Sequence, residues 1–370
     1  MIQKEIRILQ ILDSLSISSG VANVILNWHR NIDRTKIQFD YLCFKDITPN
    51  FEEEIKSLGG KFYKLPYPSL KNPWIFIKTV RDFFKTNKYS IIHSHVTQMN
   101  FFFYPIAHYY GVKNIIQHSH ATKWSGKFLN GLRNKFLFFW VRPFIDKKLA
   151  CSNLAGRFLL KDNYIVINNG IDLKIFKFNQ TIRNKIRKEL NIENKFVVGH
   201  VGRFSQEKNH NFLVDIFNEI NKKNRNSALL LVGDGPLNKE IEQKINKLNL
   251  ANDVIFTGIK NNVSDYYQAM DVFVLPSFQE GLGLSVIEAE SLGVPCFISD
   301  EVPDEAMICN TTKICLNKSS KEWSEIILEK IKNFKRKDCS NLIKDVGYDI
   351  KETTMKIENI YLQLNGDKNG

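Results

Sequence analysis

Phe196-Val197-Val198-Gly199-His200-Val201-Gly202-Arg203-Phe204-Ser205-Gln206-Glu207-Lys208-Asn209 runs from an apolar, β-rich stretch straight into a glycine and two cations. Residues 196–201 read as a buried strand, and a helical pattern starts near His210. A strand that turns through a short glycine-bearing loop into a helix is the repeating unit of parallel α/β sheets. The same rhythm continues through strand-like residues 228–232, 254–257, 272–275 and 295–298. An earlier series covers residues 6–12, 38–43, 61–65, 90–94 and 115–118. Two series predict an α/β protein of two Rossmann-like domains.

The first series closes near Asn168-Asn169-Gly170-Ile171-Asp172, a turn-rich stretch, and a charged helix over 181–190 leads into the second. The boundary is therefore expected near 178, with domains 1–178 and 179–348. Ile357, Ile360, Tyr361 and Leu364 share one side of a last periodic segment, so 349–370 is expected to be a closing helix and tail that crosses back to the N-terminal domain. Ligands of open α/β sheets bind outside the carboxyl ends of the strands, so parallel sheets facing a central cleft would hold a ligand there.

At 370 residues, 43% hydrophobic and 25% charged, the chain is long enough for two cores. Its six cysteines are scattered without a C-x-x-C pair, which suggests neither a zinc site nor an oxidised framework and points to a reducing, cytoplasmic compartment. No signal-like apolar region follows Met1, and Arg133, Lys135 and Arg142 interrupt the most apolar window. Membrane contact is thus expected to be peripheral, at the inner face of the cell membrane. The net charge of +13 is uneven, since residues 1–178 hold 26 Lys+Arg against 12 Asp+Glu and the remainder is nearly balanced. Either an anionic partner meets the first half or the composition reflects a general bias towards Lys and Asn.

Arg203 offers a bidentate fork and Lys208 a point charge beside a helix N-terminus, while Gly202 permits close backbone approach. That combination suits a diphosphate. In Pro276-Ser277-Phe278-Gln279-Glu280-Gly281-Leu282-Gly283-Leu284-Ser285-Val286-Ile287-Glu288, two glycines open the next helix and leave the amides of residues 281–284 free to face a ligand. Glu280 and Glu288 can accept from vicinal diols, one on a sugar and one on a ribose. The plainer alternative is a surface acid at 288 and a helix-dipole partner at 280.

Together with Val232-Gly233-Asp234-Gly235-Pro236, Val254-x-Phe256-x-Gly258 and Asp271-Val272-Phe273-Val274-Leu275-Pro276-Ser277, these ordered pieces resemble the GT-B glycosyltransferases of family GT4, the glycosyl transferases group 1, over almost the whole chain. The resemblance implies a GT-B fold and a nucleotide-sugar donor. Arg203 and Lys208, with Gly202 and Asn209 in the same motif, would grip its diphosphate. Glu288 would hold the ribose and Glu280 a hydroxyl of the transferred sugar, flanked by Gly281, Leu282, Gly283 and Leu284. Gly258, Ile259 and Lys260 would border the nucleobase. His120, in Gln117-His118-Ser119-His120-Ala121, matches the family's catalytic histidine on the donor sugar. His118, His93 and His95 read as packing or acceptor-side residues, and their i, i+2 spacing is poor metal geometry. The family's first-loop Gly-Gly pair is reduced here to Gly20 in Ser18-Ser19-Gly20-Val21.

No D-x-D triplet occurs, so fixed cations rather than a metal are expected to stabilise the departing diphosphate, and no cofactor is expected. The resemblance implies retention of anomeric configuration. Residues 123–148 carry seven Lys+Arg to one Asp and interleave Trp124, Phe128, Phe136, Phe138, Phe139, Trp140 and Phe144. That composition fits either an interfacial helix on anionic lipid or a core helix with a basic edge. The region after Glu280 is similar to bacterial enzymes of capsule and exopolysaccharide assembly, which implies a UDP-sugar donor and a lipid-linked glycan acceptor. A GT-B-like epimerase or phosphorylase is the alternative enzyme, and a basic binding module the non-catalytic one; nucleic-acid motifs are absent.

Overall fold

The computed structural model describes residues 5–17, 19–45, 47–67, 73–97, 99–120 and 128–366, the side chains of 128–130 excepted. Lys123, Trp124, Lys127 and the Phe128 side chain, all part of the basic aromatic stretch, lie outside the described residues, as do Ser18 and the tail 367–370.

Two compact units divide the chain, one of Met1–Gly170 with Ile350–Gly370 and one of Ile171–Asp349. The first holds a parallel sheet of β1 (Ile6–Ser14), β2 (Ile37–Lys45), β3 (Phe62–Lys64), β4 (Ile91–Ser94), β5 (Asn114–Ser119), β6 (Lys147–Ala150) and β7 (Ile165–Val166), in the order β3-β2-β1-β4-β5-β6-β7. On one face the helices Pro73–Thr86, Asn100–Tyr109 and Phe128–Val141 bury Phe76, Val80, Phe84, Phe103, Tyr104 and Phe138. The helix Gly20–Asn31 packs against the C-terminal helix Ile350–Gly366 and buries Trp28 completely.

The second unit's sheet comprises β8 (Phe196–Val201), β9 (Ser227–Val232), β10 (Val254–Phe256), β11 (Val272–Leu275), β12 (Cys296–Ser299) and β13 (Thr311–Ile314), in the order β10-β9-β8-β11-β12-β13. Leu229, Leu230 and Leu231 point alternately to its two faces, yet all three are fully buried, because helices cover both sides of a parallel sheet. Each such leucine contributes about 1.5–3 kcal/mol of burial. Reversal of strand order beside β8 puts a topological switch at β8 and β11, the two strands that lead into the Gly202–Asn209 and Glu280–Glu288 stretches.

Three sequence expectations change. The units divide at 170/171 rather than 178, because Ile171 and Phe176 already belong to the second core. The sheets gain β6, β7 and β13, which are short and carry Lys147, Lys148 and Lys313 where a buried strand would show apolar residues. Cys309 and Cys339 form a disulfide with Cα atoms 6.1 Å apart, although no disulfide was expected. Their separation of 30 residues hides the pairing, since the helix Ser320–Ile331 runs out and the chain returns between them.

Candidate active site

In the second unit the site is built at the carboxyl ends of β8 to β11. Gly202 N–H donates to Val232 O at 3.0 Å, and Gly233 N–H donates to Gly258 O at 3.0 Å, so three glycine-bearing loops close over one another. Gly233 has φ +134°, and a Cβ there would lie 2.1 Å from Gly202 O. A Cβ on Gly235 would lie 2.5 Å from Phe204 O. These glycines therefore serve close backbone packing under Arg203, which is itself exposed. Gly258, at φ +69°, faces open space, with Ile259 and Lys260 half-buried beside it and Lys260 Nζ 5.5 Å from the Tyr266 ring.

Asn209 occupies the left-handed region at φ 55° and donates from Nδ2 to Pro276 O at 3.0 Å. Phe278 N–H donates to Glu207 O at 2.8 Å. These two bonds tie the loop after β8 to the loop after β11. In consequence Lys208 Nζ reaches Glu280 Oε1 at 2.7 Å, and Ser277 Oγ donates to the same oxygen at 2.7 Å. Glu280 is nearly buried while Lys208 keeps a fifth of its side chain exposed, so the cation remains reachable from solvent. Gly283, at φ +85°, starts the helix Leu284–Ser291, with Leu282 buried and Gly281 and Leu284 half-buried.

Glu288 on that helix accepts from Tyr267 Oη at 2.8 Å. Burial pushes its carboxyl up to about 7, against the opposing pulls of the Tyr267 hydroxyl and the Lys208 charge. A carboxylate is an acceptor only, so a diol-binding role needs the ionised form. If Glu288 holds the donor as the resemblance implies, donor KM is expected to rise as pH falls below about 7, and Glu288→Gln to flatten that dependence. A pH-independent donor KM in the wild-type protein would speak against that role for Glu288. The stability linkage has the opposite sign. With the folded value above the ordinary 4.5, the folded state binds the extra proton, and stability is lost as pH rises through about 7.

Gly20 and His120 belong to the first unit. Gly20 is the first residue of its helix, capped by Ser19 Oγ on Ala22 N–H, and a Cβ there would meet nothing within 4 Å. His120 follows β5 and is half-buried, beside His118 at 4.3 Å between ring centroids. His93 and His95 stand at the end of the neighbouring β4. His93 Nε2 lies 3.2 Å from His118 Nδ1, and His95 Nδ1 lies 2.9 Å from His120 Nε2. Trp28 stacks over His93 and His118 at 6.2 and 5.7 Å. Burial pushes His120 down to about 3 and the other three well below their ordinary value, which favours the neutral form of each ring.

His93, His95 and His118 bring ring nitrogens within 4.8 Å of one another, closer than their spacing in sequence implied. Yet both nitrogens of His93 and of His95 already have partners, namely Tyr361, His118, His120 and Gln10. The rings of His93 and His118 are also within 11° of parallel. Hydrogen bonds within the cluster thus engage both nitrogens of His93 and of His95.

Sequence reasoning missed four participants. Ser277 was visible in the motif but not as the brace of Glu280, while Tyr267, Gln10 and Tyr361 lie in patterns that read as ordinary core. Only the apolar part of a buried tyrosine contributes to periodicity, so its hydroxyl leaves no signal.

Residues 182–345 match the family model described as glycosyl transferases group 1, and residues 18–175 match that of glycosyltransferase family 4. EpsF of Bacillus subtilis, named as a glycosyltransferase, is 31% identical over 369 residues, 96% of each chain. The UDP-Gal:alpha-D-GlcNAc-diphosphoundecaprenol alpha-1,3-galactosyltransferase of Escherichia coli is 28% identical, covering 76% of this chain and 77% of its own. Among solved structures, HepE of Anabaena in complex with UDP-glucose has a TM-score of 0.79 at 20% identity, over 97% of this chain and all of HepE. With a parallel sheet in each unit and cationic and acidic motifs at the strand ends, the chain belongs to the glycosyl transferases group 1 family and is a glycosyltransferase of the GT-B fold.

Proposed function

We propose that the protein is a retaining, metal-independent transferase that moves a hexose or N-acetylhexosamine from a UDP-sugar to a lipid-linked glycan in capsular or exopolysaccharide biosynthesis. The observation that carries this reading is the Lys208–Glu280–Ser277 contact set beside the Tyr267-braced Glu288, an anion-binding cation and two diol acceptors on one strand-end surface. A UDP-sugar and a diphosphoundecaprenol acceptor in the name of the Escherichia coli relative support the substrate classes, as does the name of the Staphylococcus aureus relative CapH, a capsular polysaccharide biosynthesis glycosyltransferase 28% identical over 326 residues.

Departure of UDP breaks the bond between anomeric carbon and phosphate oxygen and leaves the electron pair on the β-phosphate. Arg203, Lys208 and the amides of residues 281–284 stabilise that charge, with Glu288 holding the ribose and Glu280 a sugar hydroxyl. Retention follows from front-face attack by an acceptor hydroxyl whose proton passes to the leaving phosphate, while His120 contacts the transferred sugar. Radiolabelled UDP-sugars incubated with membrane lipid extract and chelator should yield labelled lipid-linked glycan. No transfer from any nucleotide sugar by folded protein would sink the proposal, and loss of transfer with chelator alone would sink its metal independence. Interconverted nucleotide sugar without acceptor would mark an epimerase instead.

The acceptor would be met at a membrane surface. No helix among the described residues is long and apolar enough to cross a membrane. The helix Phe128–Val141 instead buries Phe138 and Val141 and exposes Leu132, Phe136, Phe139 and Trp140, which recur at i, i+4, i+7 and i+8 on its outer face. Exposed Arg133 and Lys135 flank them. Aromatics that enter a headgroup layer beside cations favour anionic lipid. Phe136→Ser with Trp140→Ser is expected to weaken cosedimentation with phosphatidylglycerol vesicles by about tenfold or more, since each buried aromatic is worth roughly 1.5–3 kcal/mol. Unchanged sedimentation would leave this face without a membrane role.

A further inference from the structure

A single amide links both branches of the histidine cluster. Gln10 lies on β1, opposite His93 on β4, and its two ends are chemically unlike. Gln10 Nε2 donates to Tyr361 Oη at 2.9 Å, and Gln10 Oε1 faces His95 Nε2 at 3.0 Å. An amide oxygen only accepts, so His95 Nε2 carries the hydrogen. A neutral imidazole has one hydrogen, so His95 Nδ1 is bare and accepts from His120 Nε2–H at 2.9 Å. His120 Nδ1 is then bare as well.

The second branch runs the other way. Tyr361 Oη, already accepting from Gln10, gives its own hydrogen to His93 Nδ1 at 2.6 Å. His93 Nε2–H then donates to His118 Nδ1 at 3.2 Å, which leaves the His118 hydrogen on Nε2. The two branches therefore end on opposite functions, a bare acceptor at His120 Nδ1 and a bare donor at His118 Nε2. These are the two buried ring nitrogens of the cluster without a hydrogen-bond partner among the described residues. An unmet buried polar atom is costly, so the two ends of this network, beside the likewise unmet Trp28 Nε1, are where a hydrogen bond from a ligand would be gained.

We infer that Gln10 and Tyr361 are positioning residues that lock His120 in the Nε2–H form, so that its bare Nδ1 selects a ligand hydroxyl over a carboxylate. A hydroxyl has a hydrogen to give to Nδ1, and a carboxylate has none and would set two acceptors against each other. That the hydroxyl belongs to the transferred sugar rests on the proposed function, and there the lock favours a neutral hexose over a hexuronic acid. The tautomer assignment itself does not depend on that reading. Tyr361 comes from the C-terminal helix, so the last helix sets the hydrogen-bond direction at the other end of the network.

Two-bond 15N–1H correlation on the full-length protein labelled in its eight histidines tests the lock directly. The expected spectrum shows His120, assigned by loss of its signals in His120→Asn, as the neutral Nε2–H form throughout pH 6–8. Gln10→Leu removes both bonds, and Tyr361→Phe frees the amide to turn over. Each should convert His120 to a tautomer mixture and lower kcat by about 10- to 100-fold, the scale for losing the group that orients a working imidazole. UDP affinity should stay unchanged, because the nucleotide is held by second-unit residues. Gln10→Glu, which still presents an acceptor oxygen to His95, should retain the His120 form. A wild-type His120 protonated on Nδ1, or an unchanged tautomer in Gln10→Leu, would overturn the inference. Absence of transfer by the wild-type protein with the expected spectrum would instead overturn the proposed function, and equal use of UDP-hexose and UDP-hexuronic acid would overturn the selection.

Discussion

Lys208→Met is expected to lower kcat by about 10²–10³-fold while leaving the fold intact, the range for removing one fixed donor from a charge that develops only in the transition state. Methionine keeps most of the lysine stem and removes the charge that meets Glu280 Oε1 at 2.7 Å. If Lys208 faces the departing phosphate as proposed, the lost interaction strengthens as the phosphate leaves, and kcat and kcat/KM should fall together. A rise in donor KM alone would show that Lys208 binds ground state and transition state equally.

The ion pair complicates this variant, since removing one partner leaves a nearly buried carboxylate with Ser277 Oγ as its remaining side-chain donor among the described residues. Lys208→Met with Glu280→Gln removes both charges and should recover any lost thermal stability without recovering turnover. Turnover restored in the double variant would mean that the pair is structural and that another group faces the phosphate.

Gly233→Ala carries the largest expected effect on stability. At φ +134° with Gly202 O 2.1 Å from the added carbon, the loop after β9 must lift away from the loop after β8. Backbone strain and clash of this kind cost about 3 kcal/mol or more. In a unit of this size that corresponds to a fall in melting temperature of roughly 6–12 °C. UDP affinity should fall as well, because the displaced backbone leads directly into Arg203. Gly258→Ala is the control. Its φ of +69° is left-handed but faces open space, so a cost of only about 1–2 kcal/mol is expected. Equal melting temperatures for the two variants would contradict the close packing of the glycine loops.

How much of this was legible beforehand differs between the two units. The inner strands of the second sheet could be read because they are buried on both faces and carry little besides apolar residues, as Leu229, Leu230 and Leu231 do, and the half-buried edge strand β10 because Val254, Ile255 and Phe256 are all apolar. The opposite edge, β13, was less visible. β13 pairs on one side only and consists of Thr311, Thr312, Lys313 and Ile314, a composition equally suited to a loop. The cysteine reading failed for a related reason, since Cys309 and Cys339 meet through chain return rather than through any local spacing.

By itself the sequence determined the α/β class, the strand-to-helix junctions and the order of the family motifs, because those depend on periodicity and on residues adjacent along the chain. Only the tertiary structure decided which groups touch. The pairing of Lys208 with Glu280 spans 72 residues, Tyr267 braces Glu288 from a different helix, and Gln10 joins His95 to a tyrosine 351 positions away. A hydrogen bond acts over about 3 Å and has a direction, whereas a sequence pattern carries neither distance nor direction between segments. The cations and acids at the strand ends were therefore visible as residues, and their partners became visible only once the sheets had brought the loops together.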